Sequence, residues 1–231
     1  SYSGDCHRGF SNQDFIYAVN WDGAVIRRAQ VTGMLENGFS LNWDNVSSTY
    51  AHDVYYVAFK GLDSNVGTYL NSVVTGNQSI TGVGFEPQGV FTMWSHIPSP
   101  PQNGVDLIMG VGFACAADNQ WATNVYDDNA ADPTVSGHAL LTNQIIASNF
   151  KGTWNYKASL SSFDPDGFTI TTTAAPTSSR VNGYLAFKYS EPALQDTLAG
   201  NKHDMALPRP TQNNSSSLKA SDSNFESNDN S

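Results

Sequence analysis

The chain has 231 residues and a net charge of −10, with 14% charged and 12% aromatic residues. That charge excludes a sequence-independent grip on nucleic-acid phosphates, which needs clustered Lys and Arg. No apolar run approaches the roughly 20 residues that a helix needs to cross a bilayer. The length suits one large or two small β domains.

In chain order, the opening SYSGDCHRGF (1–10) carries no leader-like apolar stretch, as a mature or processed chain would not. Alternation of apolar and polar residues then predicts strands at FIYAVNW (15–21), VIRRAQVTGML (25–35), FSLNW (39–43), VYYVAF (54–59) and GVFTMW (89–94). IPSPPQN (97–103) is read as an edge loop, because its three prolines cannot donate to a ladder. Further strands are predicted at DLIMGVGFACA (106–116), QWATNVY (120–126), WNYKASL (154–160), FTITTT (168–173) and NGYLAF (182–187). HALLTNQIIAS (138–148) fits either a strand or one short helix. From about Glu191 the apolar content falls, so 191–231 reads as a polar tail that is ordered only when docked. Many short strands between Gly, Asn, Asp and Pro clusters give an all-β, antiparallel sandwich or barrel.

Two stretches use the same punctuation. Gly38-Phe39 and Gly167-Phe168 are offset by 129 residues, and AFK at 58–60 and 186–188 by 128. RRAQVTGMLENGF (27–39) faces NYKASLSSFDPDGF (155–168) in the same rhythm. This predicts one complete unit at 66–190 and one truncated copy at 1–65. The turns Asn37-Gly38 and Asp166-Gly167 are expected to supply left-handed dihedrals. Asp164 and Asp166 are then turn formers rather than a catalytic carboxylate pair. A β unit short of edge strands exposes unpaired N–H and C=O groups. Its rim can be completed by merging into the other unit, by the tail, or by a neighbouring chain. Phe10, Phe15 and Tyr17, in and beside the N-terminal segment, are the candidate assembly residues.

TGNQSITGVGFEPQGVFTMWS, LIMGVGFACAADNQWATNVYDDNAADP and SLSSFDPDGFTITTT with RVNGYLAFKY resemble a β-repeat domain frequent in phage and metagenomic sequences. The family's function is largely unknown, and its members read GNQSVTGVGFxP, SFDxDGFTLNW and YLALG. The resemblance covers residues 66–189, and NGFSLNW and YYVAFKG carry its pieces in the first copy. It implies a virion-surface, fibre or other extracellular filament subunit that assembles with itself, not an enzyme. The YLAFK ending, the short first copy and both cysteines depart from the family pattern.

Candidate chemistry is sparse. Cys6 and Cys115 are a candidate disulfide, with two unpaired thiols as the alternative. Asn45, Asn77, Asn213 and Asn214 head N-x-S/T triplets and are candidate glycosylation sites. The histidines, at 7, 52, 96, 138 and 203, are scattered without ligand spacing. Asp127, Asp128 and Asp132 in YDDNAADP could supply hard oxygen ligands to calcium, or form an acidic turn before Pro133. No other cofactor is expected. GVGF at 82–85 and 110–113 is read as strand glycine rather than a phosphate cradle. Trp21, Trp43, Trp94, Trp121 and Trp154 fall in strand patterns that suit core duty; a sugar-binding module, stacking exposed rings on glycans, is the alternative function.

Overall fold

Alternation becomes pairing along most of the chain. The computed structural model describes residues 6–20, 22–46, 53–129 and 135–189, which carry fifteen strands and no helix. The strands are β1 (His7–Phe10), β2 (Ile16–Val19), β3 (Val25–Leu35), β4 (Gly38–Val46), β5 (Leu62–Leu70), β6 (Gly76–Thr81), β7 (Gly89–Trp94) and β8 (Gln102–Val105). They continue with β9 (Leu107–Ala116), β10 (Asn119–Asp127), β11 (Ser136–Leu141), β12 (Ile146–Phe150), β13 (Thr153–Asp164), β14 (Gly167–Ala174) and β15 (Val181–Tyr189). A six-stranded antiparallel sheet runs β11-β10-β9-β7-β15-β5 and a four-stranded one β12-β13-β14-β6. No sheet closes on itself, so the architecture is a sandwich and not a barrel.

The core lies between these two sheets. Val90, Trp94, Ala114, Ala122, Tyr184 and Ala186 of the larger sheet meet Ile80, Tyr156, Ala158, Leu160, Phe168 and Ile170 of the smaller. Gly110 and Gly112 of β9 permit the approach: a Cβ on the first would overlap the Trp94 indole, and on the second the Ile145 carbonyl. Three buried polar side chains bridge the sheets, two of them where ladders are irregular. The β13 register shifts between Leu160 and Ser162, and there Leu160 N–H donates to Gln120 Oε1 at 2.7 Å while Gln120 Nε2 donates to Leu160 O at 3.3 Å. The β12 register shifts between Ser148 and Asn149, and Asn124 Nδ2 donates to Asn149 O at 2.9 Å. Thr92 Oγ1 donates to Ile145 O at 2.7 Å. A bulge frees backbone groups, and buried amides recover the hydrogen bonds that would otherwise be lost.

The N-terminal strands form two smaller sheets, β2-β3-β4 and β1-β8. The meander β2-β3-β4 has the order of β12-β13-β14, and both hairpins turn on two residues, Glu36-Asn37 and Pro165-Asp166. Of the residues expected to take left-handed dihedrals only Gly167, the first residue of β14, has positive φ, 152°; Asn37, Gly38 and Asp166 do not. The meander is pinned by Asp14, whose carboxylate accepts from Ser11 Oγ at 2.7 Å, Arg28 Nε at 3.2 Å and Gln30 Nε2 at 3.4 Å. Burial pushes the Asp14 carboxyl up, but the Ser11 and Arg28 hydrogen bonds and the Arg28 charge outweigh it, leaving its pKa below the usual carboxylate value.

Several expectations change. Gln102 and Asn103, assigned to a proline loop, open β8 and pair with Phe10 and Gly9, because Pro98, Pro100 and Pro101 all precede that ladder. HALLTNQIIAS divides between β11 and β12, with no helix. GVGF at 82–85 is a loop rather than a strand. The expected boundary between 65 and 66 falls inside β5, which pairs with β15 from Leu62 to Leu70, and the described residues up to Tyr189 fall in one compact unit. The tail from 191 lies outside the described residues.

Candidate functional site

VYYVAF reads as a strand, yet residues 53–60 join no ladder among the described residues. Its large side chains face water: Tyr55 is 91% exposed, Val57 78% and Phe59 69%. Isolated exposed apolar residues are ordinary, but a run of them is not. In the sequence alignment AFK at 58–60 faces AFK at 186–188, and the latter sits in β15 between β5 and β7. The pattern is the same; among the described residues no strand flanks 58–60. Tyr56 gives the segment its anchor. Its ring meets Phe39 edge-on at 5.0 Å, and Phe39 meets Phe15 at 5.6 Å. Leu35, Glu36, Asn37, Gly38, Phe39 and Tyr56 border an open groove of about 610 Å³.

Of the candidate assembly residues, Phe15 lies beside this groove and is half exposed. Phe10 and Tyr17 do not. Phe10 is in β1, which pairs with β8 of the same chain, and its ring lies against Gly183 of β15. Tyr17 covers Gly9, and its hydroxyl donates to Asn103 Oδ1 at 2.7 Å. The segment expected to reach a neighbour is therefore used within the chain over His7–Phe10.

A second apolar surface escaped the sequence reading. On the outer face of the six-stranded sheet, register aligns Trp121, Phe113, Phe91, Leu185 and Val66 across β10, β9, β7, β15 and β5. The adjacent row is Leu140, Thr123, Val111, Met93, Gly183 and Thr68. Neither row carries a charge. Phe113 and Phe187 stack at 6.2 Å across this face. Each strand shows only one or two of these residues in sequence, so the surface becomes visible only once the register is known.

The remaining candidates are placed as follows. Cys6 and Cys115 are free thiols, not a disulfide: Cys6 Sγ donates to Asp127 O at 3.1 Å, while Cys115 is exposed on β9. Burial, followed by the nearby Asp127 and Asp106 charges, raises the Cys6 thiol above its ordinary value despite the lowering backbone bond at Leu107. Asp128 forms an ion pair with Lys151, and Asp127 ends β10. Asp132 lies outside the described residues, and among those described no group of three His, Cys, Asp or Glu is placed to hold a metal ion. His7 lies against Gly23, His138 is exposed on β11, and His52 and His203 are outside the described residues. Asn45 and Asn77 are exposed; Asn213 and Asn214 lie outside the described residues. Trp94 is in the core, Trp43 and Trp121 are exposed, Trp154 packs against the core beneath Lys157, and Trp21 is outside the described residues.

Asp164 and Asp166 have structural work. Asp164 accepts from Ser162 Oγ and Thr169 Oγ1 across its hairpin, at 2.8 and 2.7 Å. Asp166 accepts Gly82 N–H at 3.0 Å and Gly84 N–H at 2.7 Å on its carboxylate, and Val83 N–H at 3.2 Å on its carbonyl. Positive φ at Gly82 and Gly84 turns the amides toward one point, which makes GVGF an anion nest filled by the chain's own carboxylate.

No family model, curated protein or solved structure matches this chain.

Proposed function

We propose that the chain is a non-enzymatic structural subunit that associates with copies of itself, by strand complementation, into an extracellular filament, fibre or virion-surface structure. The observation that carries this reading is the strand-patterned segment 53–60, exposed and without a ladder partner among the described residues. A strand pattern that the fold leaves unused marks a place where another molecule supplies the missing half. The uncharged face through Trp121, Phe113, Phe91, Leu185 and Val66 offers a second contact that a chain of net charge −10 can make with its own copy at little repulsive cost. The family resemblance over 66–189 provides the setting.

Sedimentation of the full chain tests this. Association is expected to grow with concentration, and Val57→Asp with Phe59→Asp to return the protein to monomer. Both positions are exposed, so the melting temperature should stay within about 0.5 kcal/mol equivalent of the parent. A chain that remains monomeric throughout overturns the proposal. The glycan-binding alternative rests on the exposed rings of Trp43 and Trp121. It is distinguished by glycan-array binding that disappears in Trp121→Ala while sedimentation is unchanged.

A further inference from the structure

YVAFK at 56–60 shares four of its five residues with YLAFK at 184–188, which lies in β15. In β15 that motif pairs with β5. Leu185 is opposite Val66, Phe187 opposite Ser64 and Lys188 opposite Asp63, with Lys188 Nζ 3.6 Å from Asp63 Oδ2. β5 ends the six-stranded sheet, so its other side carries no ladder among the described residues. The strand that accepts one copy of the motif thus has a second, open edge, and the second copy of the motif is unpaired.

That edge is fit for pairing. Asn71 N–H donates to Arg180 O at 3.0 Å, one step beyond the Leu70–Val181 pair. Backbone direction alternates along a strand, so the odd-numbered residues of β5 turn their N–H and C=O toward β15. Ser64, Val66, Thr68 and Leu70 turn theirs outward, and Leu70 O accepts from Gln78 Nε2 at 2.7 Å on that side. Edge strands are ordinarily blunted by proline, lysine or a bulge. LDSNVGTYL has neither residue, and its ladder with β15 keeps register over all nine positions. The ladder of edge strand β4 shifts twice, and those of β2 and β12 shift once each. Val66, in the middle of β5, is 79% exposed.

We propose that the open edge of β5 receives residues 55–59 of a second copy of this chain, antiparallel and in the register that β15 uses. This names the acceptor for the donated strand of the proposed function and rests on that reading. The 128-residue offset sets Tyr55 opposite Thr68, Val57 opposite Val66, Phe59 opposite Ser64 and Lys60 opposite Asp63. The first three pairs use the outward-turned backbone groups of β5, so each exchanges two hydrogen bonds. Paired side chains share a face, so Val57 prolongs the uncharged row beyond Val66. Lys60 meets the one charge in β5 with the opposite sign. A slip of two residues, the smallest that keeps the same faces, puts Lys60 opposite Asn65 or Gly61 and loses that pair. The donor is a second copy because within one chain Tyr56 is held on Phe39 of β4, and 53–60 makes no ladder with β5.

The test uses the full chain with Cys115→Ser, which removes the exposed thiol. Protein carrying Val57→Cys is mixed with protein carrying Val66→Cys and oxidised with diamide. A hydrogen-bonded cross-strand pair, about 5.5 Å between Cα atoms, is within disulfide reach. The expected product is a covalent dimer on a non-reducing gel, about tenfold or more above either protein alone or Val57→Cys mixed with Leu70→Cys. Val66→Pro removes an outward N–H that β15 does not use, and should weaken association about tenfold or more in sedimentation while the chain stays folded. Should that variant not fold, the cross-link alone decides. A chain carrying both cysteines that closes only on itself, as a monomer, overturns the proposal in favour of a hairpin on Gly61-Leu62. A mixture that associates without cross-linking, and that Val57→Asp with Phe59→Asp still dissociates, overturns the acceptor and leaves the donated strand standing. A chain that never associates overturns both.

Discussion

At the scale of single residues, His96 shows how position alters ordinary chemistry. Burial, then the Arg180 and Arg8 charges, pushes its pKa from 6.5 down to about 4. A histidine depressed in the folded state is protonated more readily in the unfolded chain. Its contribution is thus fully present above about pH 6.5 and is lost as the pH falls toward 4. His96→Asn is expected to flatten that part of the stability profile, removing a loss of at most about 3 kcal/mol. Chemical denaturation at a series of pH values reads it; parallel profiles for the two proteins would refute it. Nothing around SHIPSPP in the sequence announces this effect. The two guanidiniums that depress His96 come from β1 and from the start of β15, and only the tertiary fold brings them together.

At the scale of elements, Asp166 anchors the β13–β14 turn to the 82–84 loop. The sequence assigns Asp166 to a turn correctly but cannot show that its partner is a glycine loop more than eighty residues earlier. Asp166→Ala removes a charged acceptor from the Gly82 and Gly84 amides, leaving the backbone carbonyl that accepts Val83 N–H, and should cost about 2–3 kcal/mol, whereas Asp166→Asn, retaining one acceptor oxygen, should cost less. Equal losses in the two, measured by urea unfolding, would mean that the carboxylate is not what holds the loop. Strand prediction succeeds on the same terms. VIRRAQVTGML becomes β3 over the residues its alternation marks, because β2 and β4 lie on either side. VYYVAF has equal alternation but no strand beside it among the described residues. Strand character is a property of a pair, and a sequence displays only one member at a time.

At the scale of the whole molecule, the all-β antiparallel class is legible because alternation is local. What escapes is whatever depends on register: the uncharged face of the larger sheet and the polar bridges at the bulges. Trp121 and Phe91 are thirty residues apart in sequence, yet they share one row. The unpaired segment at 53–60 also bears on how the molecule meets a protease. Endopeptidases bind substrates as extended chain and cut where no ladder must first be opened. Tyr55, Tyr56 and Phe59 are residues chymotrypsin prefers, and all three are exposed. Limited digestion of dilute protein should therefore nick the chain between β4 and β5 first, and concentrated, associated protein should resist. Nicking at the same rate in both would place this segment outside the contact, whereas protection would make its susceptibility a direct gauge of how many subunits are free.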